Sequence, residues 1–173
     1  MMESIEDLPI PMALLKRLPK TDLHVHLDGS IRPQTMHEIA EEIGYKLPAD
    51  NPVELGAYMH VSEGRDLVDY LKRFEITLAL MQTQGAIERT AYELAADAAD
   101  EKVRYMEVRF CPELNTRGGL SAAQVVDAAL VGLRRAEAEH EITTNVIVCA
   151  LRNLPLDSSM RMAEIADRYR GRG

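Results

Sequence analysis

Thr21-Asp22-Leu23-His24-Val25-His26-Leu27-Asp28-Gly29-Ser30 alternates polar and apolar residues from Asp22 to Asp28. A period of two is the mark of a β-strand with one buried face. In such a strand Asp22, His24, His26 and Asp28 share one face. Leu23, Val25 and Leu27 share the other, packed inward on helices. Two imidazoles side by side on a strand can hold one transition metal, and imidazole suits zinc. The spacing alone also fits a half-exposed strand with ordinary polar residues. Asp28 tips the balance, because three groups able to bind a metal or a substrate then converge. Gly29 permits a tight turn just after them.

Downstream, strand and helix alternate. Pro33 to Ile43 reads as a helix through Met36, Ile39, Ala40 and Ile43, with Pro33 in its first turn and Gly44 as its stop. Tyr45 to Gly64 is loop-like, with a short helical piece over Val53 to Met59. Leu67 to Met81 carries a stripe of Leu67, Leu71, Phe74, Leu78 and Met81, expected in a core or lid. Ala86 to Glu101 is Ala-rich and helical by propensity, with Ile87, Ala91, Leu94, Ala95 and Ala98 on its apolar face. Val103 to Phe110 alternates as a second strand. Ser121 to Gln124 is a capping-box pattern that opens a helix to about Glu139, buried through Val125, Val126, Ala129, Leu130 and Leu133. Asn145 to Leu151 is nearly all apolar, as a third strand covered on both faces should be. A last helix over Ser159 to Arg170 is expected to bury Met162, Ile165, Ala166 and Tyr169.

Strands alternating with helices imply parallel βαβ units in an α/β fold. Polar residues gather where each strand ends: His26 and Asp28, Arg109 and Glu113, Arg152 and Asn153. In parallel α/β folds active sites lie beyond the carboxyl ends of the strands. Glu107 and Arg109 share a strand face and are expected to pair as ions. His37, His60 and His140 sit in helical or loop contexts and read as solvent-facing or locally bonded.

The chain has 173 residues, 46% hydrophobic and 28% charged, which suits one globular domain without an internal boundary. A net charge of -8 without a Lys/Arg-rich run argues against nucleic-acid binding. No apolar run reaches membrane-span length. Cys111 and Cys149 read as reduced thiols of a cytoplasmic protein, since no secretion signal accompanies them. The sequence specifies no oligomeric state.

The run Leu18-Pro-Lys-Thr-Asp-Leu-His-Val-His-Leu-Asp-Gly-Ser-Ile-Arg-Pro33 resembles the opening strand and loop of the adenosine deaminase family. Val103 to Phe110, followed by Pro112 and Glu113, is similar to that family's second strand. Asp69-Tyr70-Leu71-Lys72-Arg73-Phe74 is similar to a helix of its bacterial members. The resemblance covers nearly the whole chain from Leu18. It implies the N-terminal part of a (β/α)8 barrel, about three βα units plus extra helices, with one zinc ion at the carboxyl end of the strands. His24 and His26 are then zinc ligands, His26 also lies beside the substrate, and Asp28 hydrogen-bonds the ribose. The implied reaction is hydrolytic deamination of adenosine, a purine nucleoside, to inosine and ammonia.

The resemblance also exposes a shortfall. A barrel of this kind takes about 250 residues. The family's third histidine ligand, its aspartate ligand and its catalytic glutamate come from later strands. No His-Ala-Gly-Glu or Thr-Asp-Asp run occurs here. The expectation is a deaminase fragment, inactive alone. Two alternatives stay open: a related deaminase of adenine or a modified nucleotide, and a non-catalytic short protein that associates through its open sheet edge.

Overall fold

The computed structural model describes residues 10–60 and 67–172, the side chains of residues 67–70 excepted. Gly64 and the Leu67 side chain, both used above, lie outside the described residues. In chain order the elements are α1 (Met12–Arg17), β1 (Lys20–His26), α2 (Pro33–Ile43), α3 (Pro52–Met59), α4 (Leu67–Leu80), α5 (Gln84–Asp100), β2 (Val103–Phe110), a 3-10 turn (Pro112–Asn115), α6 (Ala122–Glu139), β3 (Thr143–Val148) and α7 (Leu156–Arg168). The strands form one parallel sheet in the order β1-β2-β3.

Local signals set most boundaries. Pro33 occupies the first turn of α2, and Gly44 closes it in the left-handed conformation at φ 68°. Ser121 and Gln124 form the reciprocal capping box at the start of α6. Asn51 caps α3 by accepting the Glu54 N–H, and Thr83 caps α5 by accepting the Ala86 N–H. The short α1 was not expected; none of its residues is buried.

The core lies between one face of the sheet and α5 and α6. Met106, Val108 and Phe110 of β2 are at most 2% exposed and pack in one cluster with Ile87, Ala91 and Ala95 of α5 and Val125, Ala129 and Leu133 of α6. Buried Glu93 adds a polar tie between α5 and α2. It accepts Thr35 Oγ1 at 2.6 Å and Arg89 Nε at 2.8 Å. Arg32 of the segment leading into α2 clamps Asp97 through two nitrogens, at 2.6 and 2.9 Å.

Three expectations change. First, β1 does not alternate cleanly. Asp22 pairs laterally with Met106 and Val25 with Val108, so Leu23 and His24 together oppose the single Glu107. This bulge puts Asp22 on the helix-facing side with Met106, apart from the histidines. Its carboxylate accepts the His24 N–H at 3.0 Å within the bulge. Leu23 is 58% exposed, whereas Leu27 is fully buried.

Second, β3 runs from Thr143 to Val148, and its Asn145 to Val148 segment is only half-buried. Among the described residues it is an edge strand, with β2 as its neighbour. Third, α7 starts at Leu156 and buries Met162, while Ala166 is exposed.

α7 is fastened to the end of β2 through Glu113, which accepts hydrogen bonds from Ser158 Oγ and, at 2.7 Å, from Arg161 Nη2. The Ser158 hydroxyl first, and then Arg161, hold the Glu113 carboxyl below its ordinary pKa of 4.5. A depressed carboxylate stabilises the fold above the unfolded pKa and loses that contribution as pH falls through the folded value. Glu113→Gln is therefore expected to lower stability at neutral pH. Its urea midpoint should converge on that of the parent below pH 4.5. A gap that stays constant with pH would remove the carboxylate from this role.

Candidate active site at the carboxyl end of the strands

β1 ends at His26, and the chain then turns, with Ser30 N–H donating to Leu27 O at 3.1 Å. Ser30 Oγ also donates to the His26 carbonyl. Gly29 is not among the left-handed glycines, so conformational freedom is not its use. A Cβ there would sit in ordinary contact with the Phe74 ring at 3.4 Å, so the Phe74 ring packs over the turn without requiring glycine.

His24 and His26 project from the sheet face opposite the helices. Their ring centroids are 5.5 Å apart, at an interplanar angle of 33°. Asp28 follows with a side chain only 13% exposed, its Oδ1 at 3.4 Å from His26 Nδ1. That oxygen is buried and has no hydrogen bond. Burial pushes the Asp28 carboxyl above its ordinary value, and His26 opposes the shift.

These three residues line an open cleft of about 780 Å³. The rest of its lining is largely apolar: Leu71, Phe74 and Leu78 of α4, with Leu114 from the 3-10 turn and Leu151 beyond β3. Leu71, Phe74 and Leu78 of the stripe thus line the cleft, Met81 is buried in the core, and the buried side of α4 runs through Thr77 and Leu80. Glu75 and Asn153 add polar groups to the lining. Asn153 was expected near the strand ends. Leu114 was not, because a four-residue 3-10 turn carries no periodicity. Arg152 is exposed and is not part of the lining.

The expected Glu107–Arg109 ion pair is not formed. Glu107 accepts the Tyr105 hydroxyl at 2.8 Å, and Asn145 Nδ2 donates to the same hydroxyl at 2.9 Å. Arg109 reaches His24 and Cys149 instead. Arg109 reaches across to β1 and the end of β3, while Glu107 stays with Tyr105 of its own strand, so the two side chains are engaged by different partners. His37 bonds locally, to the Asp50 carbonyl and Glu41. His140 is the C-terminal cap residue of α6, its ring tilted against Tyr92 with centroids 6.2 Å apart. Cys111 and Cys149 are free thiols.

As donors to a divalent metal, the two imidazoles fit in kind and in placement, on one face at one strand end. They do not make a full set, since catalytic zinc takes three protein ligands. Among the described residues no group of three or more His, Cys, Asp or Glu is placed to hold a metal ion.

A sequence model of adenosine deaminases matches residues 19–173. The chain belongs to the adenosine deaminase family. The adenosine deaminase of Shewanella halifaxensis is 39% identical over 158 residues, covering 91% of this chain and 48% of that protein. A probable adenosine deaminase of Dictyostelium discoideum is 41% identical over 165 residues, covering 95% of this chain and 21% of that protein. Among solved structures, the Arabidopsis N6-mAMP deaminase superposes with a TM-score of 0.76 at 27% identity, over 92% of this chain and 49% of its own. An amidohydrolase from Burkholderia ambifaria with bound Zn superposes with a TM-score of 0.77 at 26% identity, over 95% of this chain and 45% of its own.

The chain spans about half the length of the bacterial adenosine deaminases it matches. Its three parallel strands and flanking helices are an incomplete deaminase barrel of the (β/α)8 type. The cleft lies where such barrels carry their chemistry, beyond the carboxyl ends of the strands. No described helix is long and apolar enough to cross a membrane.

Proposed function

We propose that this chain is the N-terminal part of an enzyme that hydrolytically deaminates adenosine to inosine and ammonia with one zinc ion. The observation that carries this reading is the convergence of His24, His26 and Asp28 on one cleft that Leu71, Phe74 and Leu78 also line. In it, His24 and His26 are two of the zinc ligands. The remaining ligands and the catalytic carboxylate come from barrel strands beyond these 173 residues, and the chain alone does not turn over. Its residues 1–173 form part of one deaminase domain. Free Cys111 and Cys149 suit the reducing cytoplasm.

Zinc, when bound, lowers the pKa of a water so that hydroxide is available near neutral pH. The chain's own residues bind and orient the substrate. Leu71, Phe74 and Leu78 cover the purine and exclude water. Asp28 receives a ribose hydroxyl, a partner that would satisfy its buried Oδ1. His26, beside Asp28, faces the substrate. Reaction forms a C6–O bond and breaks the bond from C6 to the amino nitrogen, which leaves as ammonia.

The polar lining of the cleft suits a purine nucleoside, with Asp28 and Glu75 available to accept hydroxyl groups. No Lys or Arg is among the described residues that line it, while Asp28 and Glu75 are acidic. The test is inosine formation from adenosine, with AMP and adenine in parallel, by this chain and by the longest reading frame that contains it. The longer product is expected to convert adenosine and the 173-residue chain to be inactive. If the longer product forms no inosine with zinc supplied, this reading is wrong. Turnover of AMP or adenine in its place would assign the related activity.

A further inference from the structure

Arg109 is the cation nearest the histidine pair, and no function above uses it. It sits on β2 directly beside His26 of β1, so both side chains occupy the face opposite the helices. Its Nη1 lies 3.3 Å from His24 Nδ1 and 3.1 Å from His24 Nε2. A donor nearly equidistant from both ring nitrogens straddles the imidazole, where a single in-line hydrogen bond would favour one. Nη2 donates to Cys149 Sγ at 3.4 Å, just past the end of β3.

One planar fork from β2 therefore reaches β1 and the β3 end at once. A guanidinium is rigid enough to transmit that geometry, whereas a lysine ammonium is a point charge on a flexible stem. Two further facts separate Arg109 from an ordinary structural arginine. It makes no ion pair with a carboxylate among the described residues. Its Nε is buried without a hydrogen-bond partner, an arrangement that is unfavourable by itself. Arg109 also lies outside the cleft lining, so any effect on the cleft passes through His24.

We propose that Arg109 is a positioning residue for His24, which clamps the imidazole against the sheet and fixes the direction in which it faces the cleft. The inference rests on the reading of His24 and His26 as metal ligands only for its purpose; the clamp itself is a property of this chain. A fixed ring keeps the two imidazoles in one mutual orientation.

Per-residue carbethoxylation by diethyl pyrocarbonate, read by mass spectrometry on the 173-residue chain, tests this. Arg109→Met is expected to speed modification of His24 relative to His26 and His140 by roughly fivefold, the size of one lost hydrogen bond. Arg109→Lys keeps the charge but not the fork, and is expected to release His24 as well. If Arg109→Met unfolds the chain, all histidines accelerate together, and the Arg109→Lys comparison decides. A His24-to-His26 ratio unchanged in a folded variant overturns the clamp. Added Zn²⁺ forms a separate arm: failure to protect His24 and His26 from modification counts against the metal reading and leaves the clamp standing.

Discussion

Replacing His24 by alanine is expected to lower the zinc affinity of this chain by roughly 100-fold, and His26→Ala should do the same. Outer-shell partners of metal ligands are already worth about 10- to 100-fold when removed, and a direct ligand is worth no less. The rings share one strand face with centroids 5.5 Å apart, a separation from which both imidazoles can turn to one ion. Removing either leaves a single donor, which any surface histidine could supply. His37 is the matched control, because its ring is engaged by the Asp50 carbonyl and Glu41 away from the cleft. His37→Ala should leave zinc titrations unchanged. Competition of the three variants against a chromogenic chelator measures the effect. Equal affinities for all three would show that zinc binds elsewhere or not at all.

Gly132→Ala is expected to destabilise the fold by about 2 kcal/mol, against the sign of helix propensity. In an open helix position alanine is favoured over glycine by about 1 kcal/mol. At Gly132 of α6 the added Cβ would collide with the Glu88 carbonyl oxygen of α5 and lie 3.0 Å from Ala91 Cβ. Backbone cannot swing aside as a flexible side chain can, so the helices must separate. Overpacking of this kind costs about 3 kcal/mol at its upper end. The net effect should lower the melting temperature by roughly 4–8 °C for a chain of this size. Gly85, in the first turn of α5, provides the contrast. Nothing lies within 4 Å of a Cβ there. Gly85→Ala should be neutral or stabilising in the same thermal scan. If the two substitutions behave alike, α5 and α6 do not approach as closely as described.

Helix and strand boundaries were legible wherever a local signal wrote them. Pro33 with Gly44, and Ser121 with Gln124, mark ends through bonds made within a few residues of themselves. β2 was legible over its full length, because buried and half-buried residues alternate along most of it. β3 was misread at both ends and in its burial. Apolar composition says what a strand prefers to contact, and not whether a neighbour is present to supply that contact. The α4 stripe shows the same limit: periodicity grouped Leu71, Phe74 and Leu78 on one side, but only packing decides whether that side meets a core or a cleft.

The sequence by itself determined the order of strands and helices, the pair of imidazoles at the end of the first strand, and membership of the adenosine deaminase family. These depend on residue types at short spacings, which a linear chain carries in full. The tertiary structure decided which polar residues share a face and whom they touch. The bulge at Leu23 and His24 moved Asp22 away from the histidines. Arg109 took His24 and Cys149 as partners in place of Glu107. Both outcomes follow from strand register, which sets residues far apart in the chain side by side, His26 with Arg109 among them.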